Sequence, residues 1–149
     1  MNKKPVLPPT YLFLSIVMMA LLHFLIPFSI YAVYPWNLIG VVPLAVGIVL
    51  NLIADTTFKR EQTTVKPFEK SSKLITTGVF RISRHPMYLG MILILFGIAI
   101  LLGSLTPLIV SIIFCILMEY VFVRKEEKML EKQFGSSWYA YKDSVRKWV

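Results

Sequence analysis

Two short strings of polar residues carry the side chains that could do chemistry in this chain. The first contains Arg84, His85 and Tyr88, and the second contains Glu126 and Glu127. Arginine and histidine can bind an anionic group through charge-assisted hydrogen bonds, and glutamate can accept hydrogen bonds from hydroxyl or ammonium groups. If the fold brings the two strings together, they could hold a ligand with charged groups of both signs.

The first string also has a purely structural interpretation. Arg81 and Arg84 could anchor the membrane surface, Pro86 could start a helix, Tyr88 could sit at the interface and Gly90 could let two helices approach closely. On that string alone the two interpretations are equally good. The elements that surround it therefore have to decide between them.

Composition places these residues in a membrane protein. Of the 149 residues 56% are hydrophobic and 16% are charged, and the mean hydropathy is +0.68. A soluble domain has about 25% charged residues, so this chain has too few to cover a soluble surface and is too apolar to be disordered. Residues 10–54 contain no charged side chain, and residues 87–123 contain only Glu119.

These apolar runs predict four membrane spans. The cluster Tyr34-Pro35-Trp36-Asn37 divides the first run into spans at about 10–33 and 37–54. The second run as one straight helix would be about 55 Å long, against about 30 Å of hydrocarbon, so it must fold back. Gly103 can end a helix, and Ser104 or Thr106 followed by Pro107 can begin the next. A tight hairpin with legs at 87–102 and 107–123 is expected.

The basic residues predict the orientation of these spans. All 16 Lys and Arg residues lie before residue 10, in the loop 55–86 or in the tail 124–149, and the two opposite connections contain none. The positive-inside rule then places both termini and the long loop in the cytoplasm. The net charge of +8 therefore reports topology, and no nucleic-acid partner is expected.

The tail is expected to bring further groups to the cytosolic face. The fourth helix is predicted to continue to Phe134, and a last helix is predicted to begin at Ser136 or Ser137. Its apolar positions recur at helical spacing, which is typical of an amphipathic helix on the membrane surface that could close over a site. These positions are Trp138, Tyr141, Val145 and Trp148. Glu119 precedes Glu126 by seven residues, so both should share one helix face.

The ordered motifs resemble those of a known family of membrane enzymes. The string Leu74-Ile75-x-x-Gly78-x-Phe80-x-x-x-Arg84-His85-Pro86-x-Tyr88-x-Gly90 is followed by a short apolar hairpin. After the hairpin comes Glu126-Glu127-x-x-Leu130-x-x-x-Phe134-Gly135-x-x-x-Tyr139-x-Tyr141. The set, over residues 63–145, resembles the isoprenylcysteine carboxyl methyltransferase and phospholipid methyltransferase superfamily of integral membrane proteins.

The resemblance implies a cofactor and a set of site residues. It implies an S-adenosylmethionine pocket on the cytosolic side and a lipophilic acceptor that arrives from the bilayer. The residues implicated in cofactor binding are Gly78, Arg84, His85, Tyr88, Gly90, Glu126 and Glu127, and the candidates for catalysis are His85, Glu119 and Tyr88. No metal site is expected.

The expected fold is all-α and integral to the membrane, as one domain over residues 1–149. Four transmembrane helices include the tight hairpin, and the cytosolic loop and C-terminal amphipathic helix form the cofactor pocket. The expected location is a bacterial or archaeal inner membrane, or the endoplasmic reticulum in a eukaryote. Membrane lipids, the cofactor and the acceptor are the expected partners.

The acceptor and two other kinds of function stay open at this point. A carboxylate acceptor would need no general base, whereas an amine or thiol acceptor would need one, for which His85 or Glu119 are candidates. A membrane reductase that uses a nicotinamide cofactor, of the type that sterol reductases represent, is one alternative. A small non-catalytic membrane protein, whose charges only set its topology, is the other.

Overall fold

The protein is built from helices. The computed structural model describes residues 7–62 and 73–149, and these contain no β-strand beyond one isolated bridge between Ile30 and Ser104. The helices are α1 (Pro8–Leu25), α2 (Val41–Arg60), α3 (Pro86–Leu102), α4 (Leu105–Leu117), α5 (Arg124–Phe134) and α6 (Ser136–Ser144). Short 3-10 helices at Trp36–Gly40 and Gly78–Arg81 precede α2 and α3, and a π-helical turn at Met118–Val123 joins α4 to α5.

Three helical segments of the described residues are long and apolar enough to cross a membrane. They are Pro8–Leu25, Trp36–Arg60 and the continuous run Leu105–Phe134, which confirms the predicted continuation of the fourth helix. Helix α3 is equally apolar but has 17 residues, or about 25 Å of length. Its crossing of the bilayer stays a prediction, and so does the total of four spans.

The first helix is shorter than the sequence suggested. It ends at Leu25 and not near residue 33, because Pro27 lacks an amide hydrogen and Ile26 before it leaves the helical conformation at φ −141°. The chain beyond it packs against the turn between α3 and α4. There the amide of Tyr31 donates to the carbonyl oxygen of Gly103 at 2.9 Å. The second helix starts at Val41 and continues to Arg60, beyond the predicted membrane span that ends at residue 54.

The predicted hairpin is present, with small differences in its turn. Pro86 begins α3, and Gly103 ends it with φ +71°, a left-handed conformation that favours glycine. Helix α4 begins at Leu105, two residues before the expected start at Pro107. The hydroxyl of Ser104 makes no capping bond and instead lies 2.8 Å from Nδ1 of His23, which ties α1 to the hairpin.

Helices α2 and α3 form the most extensive helix pair and touch through glycines. A Cβ atom on Gly47 would lie 2.5 Å from the carbonyl oxygen of Gly90, and one on Gly97 would lie 2.7 Å from that of Gly40. These distances leave no room for a side chain, so the backbones pack directly against each other. Small residues serve the same purpose in many membrane helix pairs.

Two buried clusters hold the helices around the site. One lies between α1, α3 and α4 and includes Met19, Leu95, Phe114 and Phe122. The other lies where α2 ends, under α6 and the segment before α3. It consists of Ala54, Ile75, Phe80, Trp138 and Tyr141.

The second cluster corrects the expectation of a surface helix at 136–148. Helix α6 ends at Ser144, and Val145 is extended at φ −131° and ψ 131°. Trp138 and Tyr141 are 1% and 6% exposed, so they pack inside the protein and do not face lipid. Their apolar spacing reflects burial against neighbouring elements.

Candidate functional site

Arg84 lies at the centre of the contacts between the two predicted motifs. It sits two residues before α3, and its side chain is 7% exposed. Its Nε and Nη2 atoms donate to Oε1 of Glu127 at 3.1 and 2.7 Å. Its Nη1 atom donates to the carbonyl oxygens of Val145 and Lys142 at 2.7 and 3.1 Å. These four bonds use most of the five donors of the guanidinium group, so Arg84 acts here as a clamp between α3, α5 and the tail.

Glu127 has basic side chains close to both of its carboxylate oxygens. Besides Arg84, Nε2 of His85 lies 3.4 Å from Oε1, and Nζ of Lys147 lies 3.4 Å from Oε2. The Glu127 side chain is 15% exposed, so these partners replace most of its hydration. Glu127 is therefore committed to contacts within the protein.

Glu126 faces a different environment from its neighbour. Its Oε2 accepts a hydrogen bond of 2.9 Å from the hydroxyl of Tyr88, and its side chain lines a cavity of about 230 Å³ at the predicted cytosolic end of the helices. Arg84, His85 and Tyr88 line the same cavity. The apolar part of the cavity is lined by Leu7, Pro8, Pro9, Phe58, Phe80, Pro86, Met87 and Met91.

The cavity is fixed by the start of α3. Pro86 begins the helix, and the hydroxyl of Ser83 accepts a hydrogen bond of 3.1 Å from the amide of His85. That bond orients the backbone where His85, 3% exposed, turns into the protein. Tyr88 and Met91, in the first two turns of α3, both line the cavity. They do so because positions three residues apart lie on one helix face.

The position of Glu119 differs from the expected one. It belongs to the π-helical turn, which adds about one residue relative to an α-helical repeat and so changes the register of the residues that follow. Glu119 aligns with Glu127 as a result, and Lys147 contacts both, at 2.9 Å from Oε1 of Glu119. Nε of Arg124 also contacts that oxygen, at 3.2 Å. Glu119 is not among the residues that line the cavity.

The two glycines of the expected site are not among the residues that line this cavity. Gly78 is exposed at φ +63° with open space around it, which suits the turn into the 3-10 helix. Gly90 packs against Gly47 and the side chain of Asn51. Close helix packing therefore explains the glycine at position 90, as the structural interpretation of the motif at residues 84–90 predicted. The turn into the 3-10 helix explains the glycine at position 78.

The segment at residues 145–148 completes the site and was largely missed from sequence. Its backbone carbonyls accept from Ser83 and Arg84, with the hydroxyl of Ser83 at 3.1 Å from the oxygen of Lys147. The Trp148 ring lies 6.4 Å from that of His85. Hydrogen bonds to backbone carbonyl groups depend on the path of the chain and not on residue type, so no sequence motif could predict them.

Helix α6 is locked to the site by Tyr141. Its hydroxyl donates to the carbonyl oxygen of Phe80 at 2.6 Å. Burial raises the pKa of the Tyr141 phenol above its ordinary value, and this outweighs the nearby positive charge of Arg84, which lowers it. The phenol therefore stays a hydrogen-bond donor throughout the neutral range.

Comparisons with known proteins agree with this architecture. The model of the phospholipid methyltransferase family matches residues 36–137. An uncharacterized protein from Haemophilus influenzae is 35% identical over 63 residues, which cover 42% of this chain and 100% of that protein.

A solved structure extends the similarity over nearly the whole chain. It is that of the eukaryotic intramembrane Ras methyltransferase, isoprenylcysteine carboxyl methyltransferase, at a TM-score of 0.71 and 25% identity. The match covers 95% of this chain and 51% of the other, so this chain spans about half the length of that enzyme. With a family match over more than half of its residues and a membrane methyltransferase fold, the chain belongs to the phospholipid methyltransferase family.

Proposed function

We propose that the protein transfers a methyl group from S-adenosylmethionine to a lipophilic acceptor that reaches the site from the bilayer. The observation that carries the proposal is the hydrogen-bonded pair of Tyr88 and Glu126 in the wall of a largely apolar cavity, which Arg84 and His85 also line. Membership in a family of phospholipid methyltransferases supports the reaction type.

The residues around the cavity fit such a cofactor in part. Glu126 offers a carboxylate that can accept from ribose hydroxyls or from the ammonium group, and the Tyr88 ring offers a face to a sulfonium cation. Arg84, in contrast, already donates to Glu127 and to two carbonyl groups. We therefore assign cofactor contact to Glu126 and a positioning role to Arg84 and Glu127, which revises the role that the motif suggested for Arg84.

The protein's contribution to the reaction is orientation and exclusion of water. The bound cofactor supplies an activated methyl group. The apolar lining, which includes Met87, Met91 and Phe58, keeps water from the transfer path and holds an apolar acceptor near the polar wall. The cavity, at about 230 Å³, is smaller than the roughly 300–1,000 Å³ of typical ligand sites, so we infer that the site widens when both ligands bind.

The acceptor class determines whether a proton must move. A carboxylate acceptor is already ionised at neutral pH, but an amine or thiol must lose a proton. Of the two candidate bases, His85 lines the cavity and Glu119 does not. The Glu127 carboxylate beside Nε2 of His85 favours a proton on that nitrogen, which leaves Nδ1 as the basic atom.

Binding of the cofactor tests the proposal. Purified protein in detergent is titrated with S-adenosylmethionine and, in parallel, with NADPH. We expect saturable binding of S-adenosylmethionine only, and about tenfold weaker binding, or 1.4 kcal/mol, in Glu126→Gln. Glu131→Gln, a change of the same type on the same helix, is the matched control and should bind normally.

Each alternative outcome favours a different function or refutes the role assigned to Glu126. Binding of NADPH alone would favour a reductase, and binding of neither ligand would favour a non-catalytic protein. Normal affinity in Glu126→Gln would refute the assignment of cofactor contact to that carboxylate. Incubation with labelled cofactor and a lipid extract, followed by separation of the labelled products, identifies the acceptor.

A further inference from the structure

The segment at residues 145–148, which we call the strap, lies against the start of α3. The amide of Arg84 donates to the carbonyl oxygen of Arg146 at 3.1 Å, and the hydroxyl of Ser83 donates to that of Lys147 at 3.1 Å. The Arg84 side chain donates to the carbonyl of Val145 at 2.7 Å. The strap thus touches the cavity wall through the backbone and side chain of Arg84.

Lys147 is the strap residue whose side chain contacts two carboxylates near the site. Its ammonium lies 2.9 Å from Oε1 of Glu119 and 3.4 Å from Oε2 of Glu127, and its side chain is 29% exposed. Both carboxylates are less exposed than that, at 19% and 15%. One ammonium therefore separates two largely buried carboxylates that would otherwise repel each other.

We propose that Lys147 is a positioning residue of the methyl-transfer site, which holds Glu127 and the strap in the arrangement that binds the cofactor. The proposal rests on the function proposed above. Lys147 does not line the cavity, so it acts through Glu127. That carboxylate has Arg84 and His85 on one oxygen and Lys147 on the other.

The π-helical turn makes this contact possible. It brings Glu119 into line with Glu127, so that both carboxylates face the same ammonium. Oε2 of Glu119 is buried and has no hydrogen-bond partner among the described residues. Loss of Lys147 would leave Glu119 with the ion pair to Arg124, whose side chain is 52% exposed.

Hydrogen exchange reports on the strap without any need for activity. The amide of Arg84 is bonded to the strap carbonyl of Arg146, so it exchanges when the strap detaches. We expect Lys147→Gln to speed exchange at Arg84 and to weaken S-adenosylmethionine binding, each by about tenfold, which corresponds to 1.4 kcal/mol. Lys147→Arg, which keeps the charge, should restore both values to within about threefold of the original protein.

Lys132→Gln is the matched control, because this exposed lysine on α5 loses the same charge away from the strap. It should leave both values unchanged. Unchanged exchange at Arg84 in Lys147→Gln would overturn the proposal. Faster exchange with normal cofactor affinity would also overturn it, since Lys147 would then serve the fold alone.

A coupling measurement separates the bridge from general charge loss. If Lys147 acts through Glu119 and Glu127, the effects of Lys147→Gln and Glu119→Gln on exchange at Arg84 should not add in the double variant. Additive effects would contradict the bridge. If the unaltered protein binds no S-adenosylmethionine, the proposed function fails, and exchange still shows whether Lys147 holds the strap.

Discussion

Glu126 and Glu127 are neighbours in the chain, yet their carboxylates have opposite surroundings. Glu126 meets one phenol and a cavity, whereas Glu127 is enclosed by an arginine, a histidine and a lysine. A helix turns by about 100° per residue, so adjacent positions point in different directions. One motif therefore supplies both the proposed cofactor contact and a structural contact.

Glu127→Gln should lower stability more than Glu126→Gln. The first change leaves the buried Arg84 guanidinium without its counter-charge, and we expect it to cost about 2 kcal/mol. The second weakens one hydrogen bond, at about 1 kcal/mol or less. Thermal unfolding of the two variants in detergent checks the order, and equal midpoints would contradict the distinction between the two carboxylates.

Tyr141→Phe tests the raised pKa of a buried phenol. The difference in alkaline absorbance titration between the original protein and the variant isolates Tyr141, which should ionise above the ordinary pKa of 10 because burial disfavours the phenolate. Removal of the bond to Phe80 should cost about 1 kcal/mol.

The sign of the pH dependence follows from the same pKa shift. Because the folded pKa is raised, the contribution of Tyr141 to stability is complete below the unfolded pKa of 10 and declines as the pH rises toward the folded pKa. The loss of stability above pH 10 should therefore be shallower in Tyr141→Phe. A Tyr141 titration at the ordinary pKa would show that the phenol is not buried.

Side-chain chemistry was predictable where residue types themselves carry the contact. The two motifs predicted that Arg84, His85 and Tyr88 lie near Glu126 and Glu127. The structure places these side chains in contact. Lys147 was counted only among the basic residues that set topology, because nothing in its local pattern distinguishes it from the other lysines of the tail. Glu119 was identified as a candidate from the sequence, but it was expected to align with Glu126, whereas in the structure it shares Lys147 with Glu127.

Helix ends were predictable where proline and glycine act. Pro86 and Gly103 bound α3 as expected, since each acts through its own backbone restriction. The π-helical turn at Met118–Val123 was not predictable, because its residues suit an α-helix equally well. Because of that turn, the seven-residue spacing of Glu119 and Glu126 did not predict which way the Glu119 side chain points.

Gly97→Ala should weaken the pairing of α2 with α3. A Cβ at this position would lie 2.6 Å from the backbone nitrogen of Leu44, so the helices must move apart, at about 1–3 kcal/mol. Thermal unfolding of the purified variant measures the loss. Val46→Ala, on the exposed face of α2, is the control and should have little effect; an equally stable Gly97→Ala variant would contradict the close packing.

Topology is a property of the whole molecule, and single cysteines can test it. With Cys115 replaced by alanine, Ser136→Cys should react with a membrane-impermeant maleimide only after the cytosolic face is exposed. Tyr34→Cys, in the exposed loop before α2, should react from the opposite side. Labelling of both positions from one side would contradict the orientation predicted from the basic residues.

The far end of the bundle from the cavity is tied by several hydrogen bonds. The amide of Leu105 donates to the carbonyl of Phe28 at 3.1 Å, and Asn37 donates from its side chain to the carbonyl of Leu101 at 2.8 Å. With the bond from Tyr31 to Gly103 and the contact of His23 with Ser104, these join α1 and the chain that follows it to the hairpin.

Hydrogen bonds at one end of a helix define a point about which the helix could tilt within its packing. Helix α1, about 27 Å long, runs from this point to Leu7 and Pro8 at the cavity. A rotation of only about 5° about this end would displace the other end by about 2 Å. A small tilt of the first helix would therefore change the width of the cavity at Leu7 and Pro8.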